Sequence, residues 1–332
     1  MSVGLHKKRL WVTIFPASIR LIHTSSLFRA VDKASLSKLR KRTGISFINC
    51  KKALEKFEND VDQAEGWLKE EAQKQGWEKA TKLGGRTMSS GLIGVRVDGD
   101  LAAMVEINCE TDFVARNKKF QNLVSQISNL VLQQGKESDA AKIYWERDEF
   151  NKLSSSNKTI SDMVAMEVGS LGENMAAKRG VVIRAGENFK VGHYVHAIGK
   201  YNVLGKYASV IRYRQTAPVD LPKFSLEEAA RQLCQHIVGS LFCPQCLETT
   251  IVHKMFTCFI SIPGMNPTSV GSTEDEPSES KDNESKMIHQ EYLLDPSLTV
   301  NEVLEQNCIK IDDFVRFECG DILESEKESI IF

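Results

Sequence analysis

The chain has 332 residues, enough for two or three domains with substantial hydrophobic cores. Hydrophobic residues make up 42% and charged residues 26%, which is typical of a globular protein and excludes a fibrous or wholly disordered one. The formal net charge is −1, but residues 1–31 contain basic and no acidic side chains, so the remainder has 38 basic and 44 acidic residues, a net charge of −6. Such an acidic protein is a poor candidate for binding nucleic acid as its main partner, since phosphate contacts need concentrated Lys and Arg.

Residues 1–31 predict a mitochondrial transit peptide. Basic residues are mixed with Ser and Thr, and the longest apolar run, Leu10 to Phe15, is too short for a membrane span or a secretory signal. A disordered basic tail is the other interpretation. We therefore expect a protein of the mitochondrial matrix, cleaved between Phe28 and Lys33, with no membrane segment and with its cysteines kept as thiols.

Residues 35–78 predict a small domain of three helices that ends near Gly76. Thr43-Gly44 ends the first helix, Ser46 caps the second and Asp60 caps the third. The positions expected to face a common core are Leu36, Leu39, Phe47, Cys50, Ala53, Leu54, Phe57, Val61, Ala64, Trp67 and Leu68. A fold of about 40 residues has little core, so it usually needs a partner or a neighbouring domain for stability.

Residues 90–185 predict the first half of a larger core. Two apolar strands, Leu92 to Val97 and Leu101 to Ile107, are separated by Asp98-Gly99-Asp100, which is typical of a hairpin turn. After the second strand, apolar residues recur at helical spacing as far as about Gln134.

The strand and that helix meet at Thr111-Asp112-Phe113-Val114. Either Thr111 or Asp112 can be the helix N-cap, because each offers a short side-chain oxygen to the unpaired N–H groups of the first turn. The phenylalanine beside them is then either a staple-like core residue or an exposed wedge at a surface corner.

Residues 186–323 predict the second half of the core. Strands are expected at Tyr194 to Ile198, Tyr207 to Tyr213 and Asp312 to Glu318, and helices at Leu226 to Val238, capped by Ser225, and at Thr299 to Asn307. With the first half, this pattern predicts an α+β fold class in which antiparallel sheets pack against flanking helices.

Two segments interrupt the second half. Residues 240–264 contain Cys243, Cys246, His253 and Cys258, close to the spacing of a zinc knuckle, but the apolar surroundings favour an atypical inserted loop. Residues 271–286 are acidic, low in complexity and free of large apolar side chains, so we expect a disordered connector.

Four separated motifs resemble the elongation factor Ts family in its mitochondrial form. They are Leu39 to Gly44 with Cys50 to Leu54, then Thr111 to Val114, then Gly172 to Met175, and finally Asp295 to Val300 with Phe314 to Gly320. Their order agrees with the family over about residues 35 to 320. The sequence has no heptad run that would correspond to the coiled-coil insertion of the bacterial members.

This resemblance implies a guanine-nucleotide exchange factor that forms a 1:1 heterodimer with the GTPase mitochondrial elongation factor Tu. In the family, the Asp-Phe pair, here Asp112 and Phe113, enters between elements of the GTPase and disturbs its magnesium site. The resemblance also implies a ubiquitin-associated-like N-terminal domain, no cofactor and no covalent chemistry. The further partner contacts that it implies are Arg42, Thr43, Val114 and His196.

Other functional classes have weaker support. Gly199 to Tyr207 differs from a phosphate-binding loop in spacing and lacks its Ser or Thr, so an enzyme of that type is disfavoured. His193 and His196, expected on one face of a strand, lack a third metal ligand. A ubiquitin-associated-type binding or scaffold protein without exchange activity is the alternative, although it leaves most of the chain without a role.

Overall fold

The computed structural model describes residues 31–43, 45–155, 158–197, 203–218, 225–242, 259–261, 267–278 and 283–321. The chain divides into two compact units, an N-terminal unit that ends at Glu70 and a core unit that begins at Glu71. Helices and an antiparallel sheet are both present, which confirms the predicted α+β fold class.

The N-terminal unit contains α1 (Lys33–Thr43), α2 (Phe47–Lys56) and the first part of α3 (Val61–Leu83). Ser46 caps α2 as predicted, since its hydroxyl accepts from the Asn49 N–H at 3.4 Å. The side chain of Asp60 accepts from the first N–H groups of α3. The small core consists of Leu39, Cys50, Ala53, Leu54, Ala64 and Leu68.

The core unit is built on a seven-stranded antiparallel sheet with the order β13-β8-β1-β2-β6-β3, in which β7 also pairs with β8. Its strands are β1 (Ser90–Asp98), β2 (Leu101–Cys109), β3 (Lys142–Trp145), β6 (Met175–Arg184), β7 (Lys190–Ala197), β8 (Leu204–Gln215) and β13 (Ile309–Glu318). Short antiparallel pairs lie outside this sheet: β4 (Ser154–Ser155) with β5 (Lys158–Thr159), β9 (Ser240–Phe242) with β10 (Phe259–Ser261), and β11 (Glu291–Tyr292) with β12 (Asp295–Thr299).

The first hairpin forms as the sequence predicts. Asp98 pairs with Leu101, so the turn consists of Gly99 and Asp100, and Gly99 adopts the positive φ of 60° that glycine tolerates. Register then continues without a shift to the pair Ser90 and Cys109, which brings the end of β2 to the start of the next helix.

Helices of the core unit pack on one side of the sheet at two positions, one covered by α5 (Lys118–Lys136) and the other by α8 (Leu226–Val238). The unit also contains α4 (Asp112–Ala115), α6 (Arg147–Lys152), α7 (Ile160–Leu171) and α9 (Val300–Gln306). Buried side chains of α5 pack on β1 and β2, and those of α8 pack on β7 and β8. Burial of these apolar faces is the main source of the unit's stability.

The other side of the sheet is buried because the sheet curls and brings its end strands together. The rings of Tyr144 in β3 and Phe317 in β13 meet edge to face at 6.2 Å. Lys142 and Asp313 in the same two strands form an ion pair of 2.9 Å. The cluster enclosed in this way includes Ile93, Val95, Met104, Val181, Val210 and Phe317.

Helix α3 is longer than predicted, since it continues through Gly76. A Cβ atom at Gly76 would lie 2.3 Å from the carbonyl oxygen of Ala165 in α7, so this glycine permits close helix packing instead of ending a helix. The neighbouring Trp77 donates from Nε1 to Asp162 Oδ1 at 3.0 Å. Helix α3 therefore contributes residues to both units, since the N-terminal unit ends at Glu70.

The predicted single helix from Asp112 to about Gln134 is wrong, because two helices occupy this stretch. Helix α4 stops at Ala115, and the side chain of Asn117 accepts from Lys119 N at 2.9 Å to start α5. Asparagine favours this capping role over a helix interior, because its side chain competes for backbone groups.

The acidic segment 271–286 differs from the predicted disordered connector over its described residues. Glu284 is 7% exposed, and its carboxylate accepts from the backbone N–H groups of Ser278 and Lys286 at 2.8 Å. Asp275 pairs with the Lys286 side chain at 3.2 Å. These acidic groups hold the backbone in place, a role that composition does not reveal.

Several predictions concern residues outside the described part of the chain. Residues 1–30 of the predicted transit peptide belong to this group, as do Cys243, Cys246, His253 and Cys258 within the predicted insert 240–264. The described ends of that insert form the antiparallel strands β9 and β10, in which Ser240 pairs with Ser261 and Phe242 pairs with Phe259. Among the helices that the structure describes, none combines the length and apolar character needed to cross a bilayer.

Candidate functional site

The corner between β2 and α4 carries Asp112 and Phe113. Thr111 has an extended backbone with φ −125° and ψ 155°, and its hydroxyl oxygen accepts from Val114 N at 3.4 Å. Of the two candidates left open by the sequence, Thr111 is therefore the N-cap, and Asp112 is the first residue of the helix. In that first turn the helix dipole favours a negative side chain.

Phe113 is the most exposed large hydrophobic side chain in the described part of the chain, at 78%. The interpretation of Phe113 as a core residue is therefore wrong. Val114, by contrast, is 7% exposed and packs in the core formed by α5 and the sheet. Its side chain anchors α4 from inside, which differs from the partner contact that the family resemblance implies.

Asp112 also lies at the surface. Its Oδ2 atom pairs with Arg116 NH2 at 2.7 Å, one helical turn later, and both side chains are about half exposed. An exposed pair of this kind contributes about 0.5 kcal/mol or less to stability. The Asp112 carboxylate can therefore exchange this partner for another at little cost.

The corner is tied to the residues that follow α7. The hydroxyl of Thr111 donates to the two carboxylate oxygens of Glu173 at 2.9 and 3.0 Å, and the Asn174 N–H donates to Glu110 Oε1 at 2.7 Å. Sequence reasoning missed Glu173 and Asn174 as site residues, although both lie in the Gly172 to Met175 motif. The αL conformation of Gly172, with φ 81°, ends α7 and turns the chain toward the corner.

Cys109, at the end of β2, stabilises the corner through a hydrogen bond of its buried thiol. Its thiol donates to the carbonyl oxygen of Thr111 at 3.2 Å, and burial raises the pKa of Cys109 to about 12. The group therefore remains a protonated hydrogen-bond donor at neutral pH.

His196 lies in β7, where Tyr194 OH is 3.4 Å from its Nδ1 atom and the Tyr207 ring stands edge to face at 6.5 Å. Burial lowers the pKa of both His196 and His193. The two histidines do not share a face, since an odd spacing in a regular strand places them on opposite sides. Within the described residues, no group of three or more His, Cys, Asp or Glu side chains is placed to hold a metal ion.

In the N-terminal unit, Arg42 and Thr43 have structural partners. Arg42 pairs with Asp62 at 2.8 Å and with Glu65 at 2.7 Å, which joins α1 to α3. The Thr43 hydroxyl donates to the Leu39 carbonyl at 2.8 Å near the end of α1.

The first residues of α2 form an exposed apolar pair that sequence reasoning missed. Phe47 is 51% exposed and Ile48 65%, so Phe47 does not face the core as predicted. They follow Arg40, Lys41 and Arg42 closely in the chain, so this unit presents apolar and basic groups on neighbouring segments. Aromatic residues and Arg are both enriched in protein interfaces.

Phe113 in the core unit and Phe47 in the N-terminal unit are each exposed beside a capped helix end, which is typical of proteins that bind another protein. Residues 19–78 match the family model described as elongation factor Ts, mitochondrial, N-terminal, and residues 110–257 match the one described as elongation factor TS. The second match extends into the segment predicted as an insert.

Curated relatives named elongation factor Ts, mitochondrial, resemble nearly the whole chain. The relative from Branchiostoma floridae is 40% identical over 92% of this chain and 95% of its own. The relative from Xenopus laevis is 39% identical over 94% of each chain, and the one from Homo sapiens is 40% identical over 88% and 84%. The chain therefore belongs to the mitochondrial elongation factor Ts family, and it is a translation elongation factor of mitochondria.

Proposed function

We propose that this chain is a guanine-nucleotide exchange factor that promotes GDP release from mitochondrial elongation factor Tu in the matrix, as a 1:1 heterodimer. The observation that carries the proposal is Phe113, 78% exposed on a helix of four residues whose cap and inner face are both fixed. A phenylalanine on a fixed backbone has only two side-chain torsions to lose on insertion into a partner, so most of its contact energy is available for binding.

The mechanism is thermodynamic linkage. If the factor binds the nucleotide-free GTPase more tightly than the GDP form, reciprocity requires that the complex binds GDP less tightly. Mg²⁺ bridges protein and phosphate oxygens in such GTPases, so a ring that displaces the loop supporting the metal weakens nucleotide binding. No bond of the factor itself is made or broken, and we therefore propose an exchange factor and not an enzyme.

Asp112 and Phe113 carry this role in the core unit, and we propose His196 and the exposed face near Arg42 and Thr43 as further contacts. His196 is half-buried between two tyrosines, so its ring is held in one orientation. In the N-terminal unit, Arg42 is partly exposed at 42% while engaged with acids of the same unit, so a partner carboxylate would have to compete for it.

The test is the release of fluorescent GDP from purified mitochondrial elongation factor Tu, followed by stopped flow with and without this chain. We expect release to accelerate with factor concentration, and we expect GDP in excess to dissociate the complex. The alternative, a ubiquitin-associated-type binding or scaffold protein, predicts association with no change in the release rate. That result would overturn the proposed function.

A further inference from the structure

Three contacts tie the β2–α4 corner and the start of α5 to the last residues of α7 and the chain that follows them. They join Lys119 Nζ to Ser170 Oγ at 2.7 Å, Thr111 Oγ1 to the Glu173 carboxylate at 2.9 and 3.0 Å, and Asn174 N to Glu110 Oε1 at 2.7 Å. These contacts lie on both sides of Phe113 in the sequence. The segment after α7 therefore restrains the element that presents the exposed ring.

The Thr111–Glu173 contact acts directly on the helix cap. A threonine hydroxyl has one proton to donate and two lone pairs. Because its proton is directed to Glu173, a lone pair is left facing the Val114 N–H, from which the oxygen accepts at 3.4 Å. Without the carboxylate, the hydroxyl is free to rotate and to direct its proton elsewhere, which weakens the cap.

Helix α4 is sensitive to such a loss. It has four residues, and a helix of this length is marginal unless its ends are held. Phe113 is largely exposed, so the backbone of α4 sets the direction of its Cα–Cβ bond and thereby the space that the rotamers of the ring can reach. Loss of the cap would let the helix fray and would spread the ring over several directions before a partner is met.

We infer that Glu173 is a positioning residue for nucleotide exchange, which acts through Thr111 to preorganise Phe113. This inference rests on the proposed function. Association with a partner is favoured when the contacting group is already in its bound orientation.

The first experiment is a mutant cycle on the full chain, read as stimulated GDP release. Glu173→Ala and Thr111→Val should each lower the release rate about fivefold, the size of a lost N-cap. Thr111→Ser keeps the hydroxyl and should restore the wild-type rate. In a Phe113→Ala background, Glu173→Ala should cause no further loss, because its effect passes through the ring.

The matched control is Glu302→Ala. Glu302 accepts from the Thr299 hydroxyl at 3.0 Å in the capping box of α9, so the variant removes the same kind of contact from a different helix. It should lower the melting temperature while leaving GDP release unchanged. An equal loss of release in Glu302→Ala and Glu173→Ala would show that general destabilisation is responsible, and would overturn the positioning role.

A second readout does not need the GTPase. Amide hydrogen exchange of residues 114–116 in the free chain should be about fivefold faster in Glu173→Ala than in wild type, with the β2 amides unchanged, because these amides donate to acceptors within the capped turn. Unchanged exchange at 114–116, or a full further loss in the Phe113→Ala background, would overturn the inference. A wild-type chain that protects these amides but fails to speed GDP release would instead overturn the proposed function.

Discussion

Replacing Phe113 with alanine should lower the stimulated GDP release rate by tenfold or more. An aromatic side chain buries about 150–250 Å² when enclosed, so an exposed fraction of 78% leaves roughly 150 Å² for a partner to cover. At about 25 cal/mol per Å², that area corresponds to about 4 kcal/mol. If only one third of this energy is gained selectively in the nucleotide-free complex, about 1.4 kcal/mol, the rate falls tenfold.

Folding should be nearly unaffected by Phe113→Ala, since the side chain contributes little to the core. We expect the free energy of unfolding in urea to change by about 0.5 kcal/mol or less. Val97→Ala is a suitable control, because it removes an exposed apolar side chain, 38% accessible, from the hairpin of the same unit. That variant should retain the wild-type release rate in the stopped-flow assay.

Two results would refute this reasoning. If Phe113→Ala unfolds the protein while a folded Asp112→Ala variant exchanges normally, the ring is needed for folding and the Asp112–Phe113 pair has no direct part in exchange. If Phe113→Ala folds and releases GDP at the wild-type rate, the ring has no part in exchange.

Three further predictions concern stability, measured by urea unfolding. Burial lowers the pKa of His236 to about 4, so between about pH 6.5 and pH 4 a proton binds this side chain only in the unfolded state. The free energy of unfolding should therefore fall by up to about 3 kcal/mol as the pH is lowered through this range. The variant His236→Gln should show a flatter pH dependence. Gly76→Ala should lower the free energy of unfolding by about 1–3 kcal/mol, because the added Cβ meets a backbone carbonyl. Gly66→Ala, in the same helix, places its Cβ in open space and should raise the free energy of unfolding by up to about 1 kcal/mol. A gain in both variants would contradict the packing argument. Glu106→Gln should lower the free energy of unfolding by about 3–5 kcal/mol, because it removes the carboxylate that pairs with buried Arg179 at 2.7 Å. An unchanged free energy of unfolding would show that this ion pair is dispensable.

Local signals in the sequence predicted the fold well wherever one residue decides the geometry. Ser225 and Thr299 each cap a helix, and α8 begins and ends at the predicted residues, Leu226 and Val238. The hairpin at Gly99 likewise follows from one dipeptide. Caps and turns are formed by short-range hydrogen bonds, so a few neighbouring residues in the sequence are enough to predict them.

Other features depended on partners distant in the chain. The glycine in the middle of α3 looks like a helix end until Ala165 is placed beside it. Phe47 fits a helical apolar stripe but is left exposed by a core too small to cover it. At the candidate site, the sequence indicated Asp112 and Phe113, but Glu173 lies 62 positions from Thr111, and no local pattern connects them.

The closure of the sheet between β3 and β13 has a consequence for how the chain folds. The Lys142–Asp313 contact spans 171 positions, and β8 gains its long neighbour β13 only when residues 309–318 are present. Pairing at such sequence separation is slow, because a long loop must close before any contact is gained. Until then the edge of β8 offers free backbone groups to other chains, so products that end before Ile309 should aggregate during synthesis or refolding.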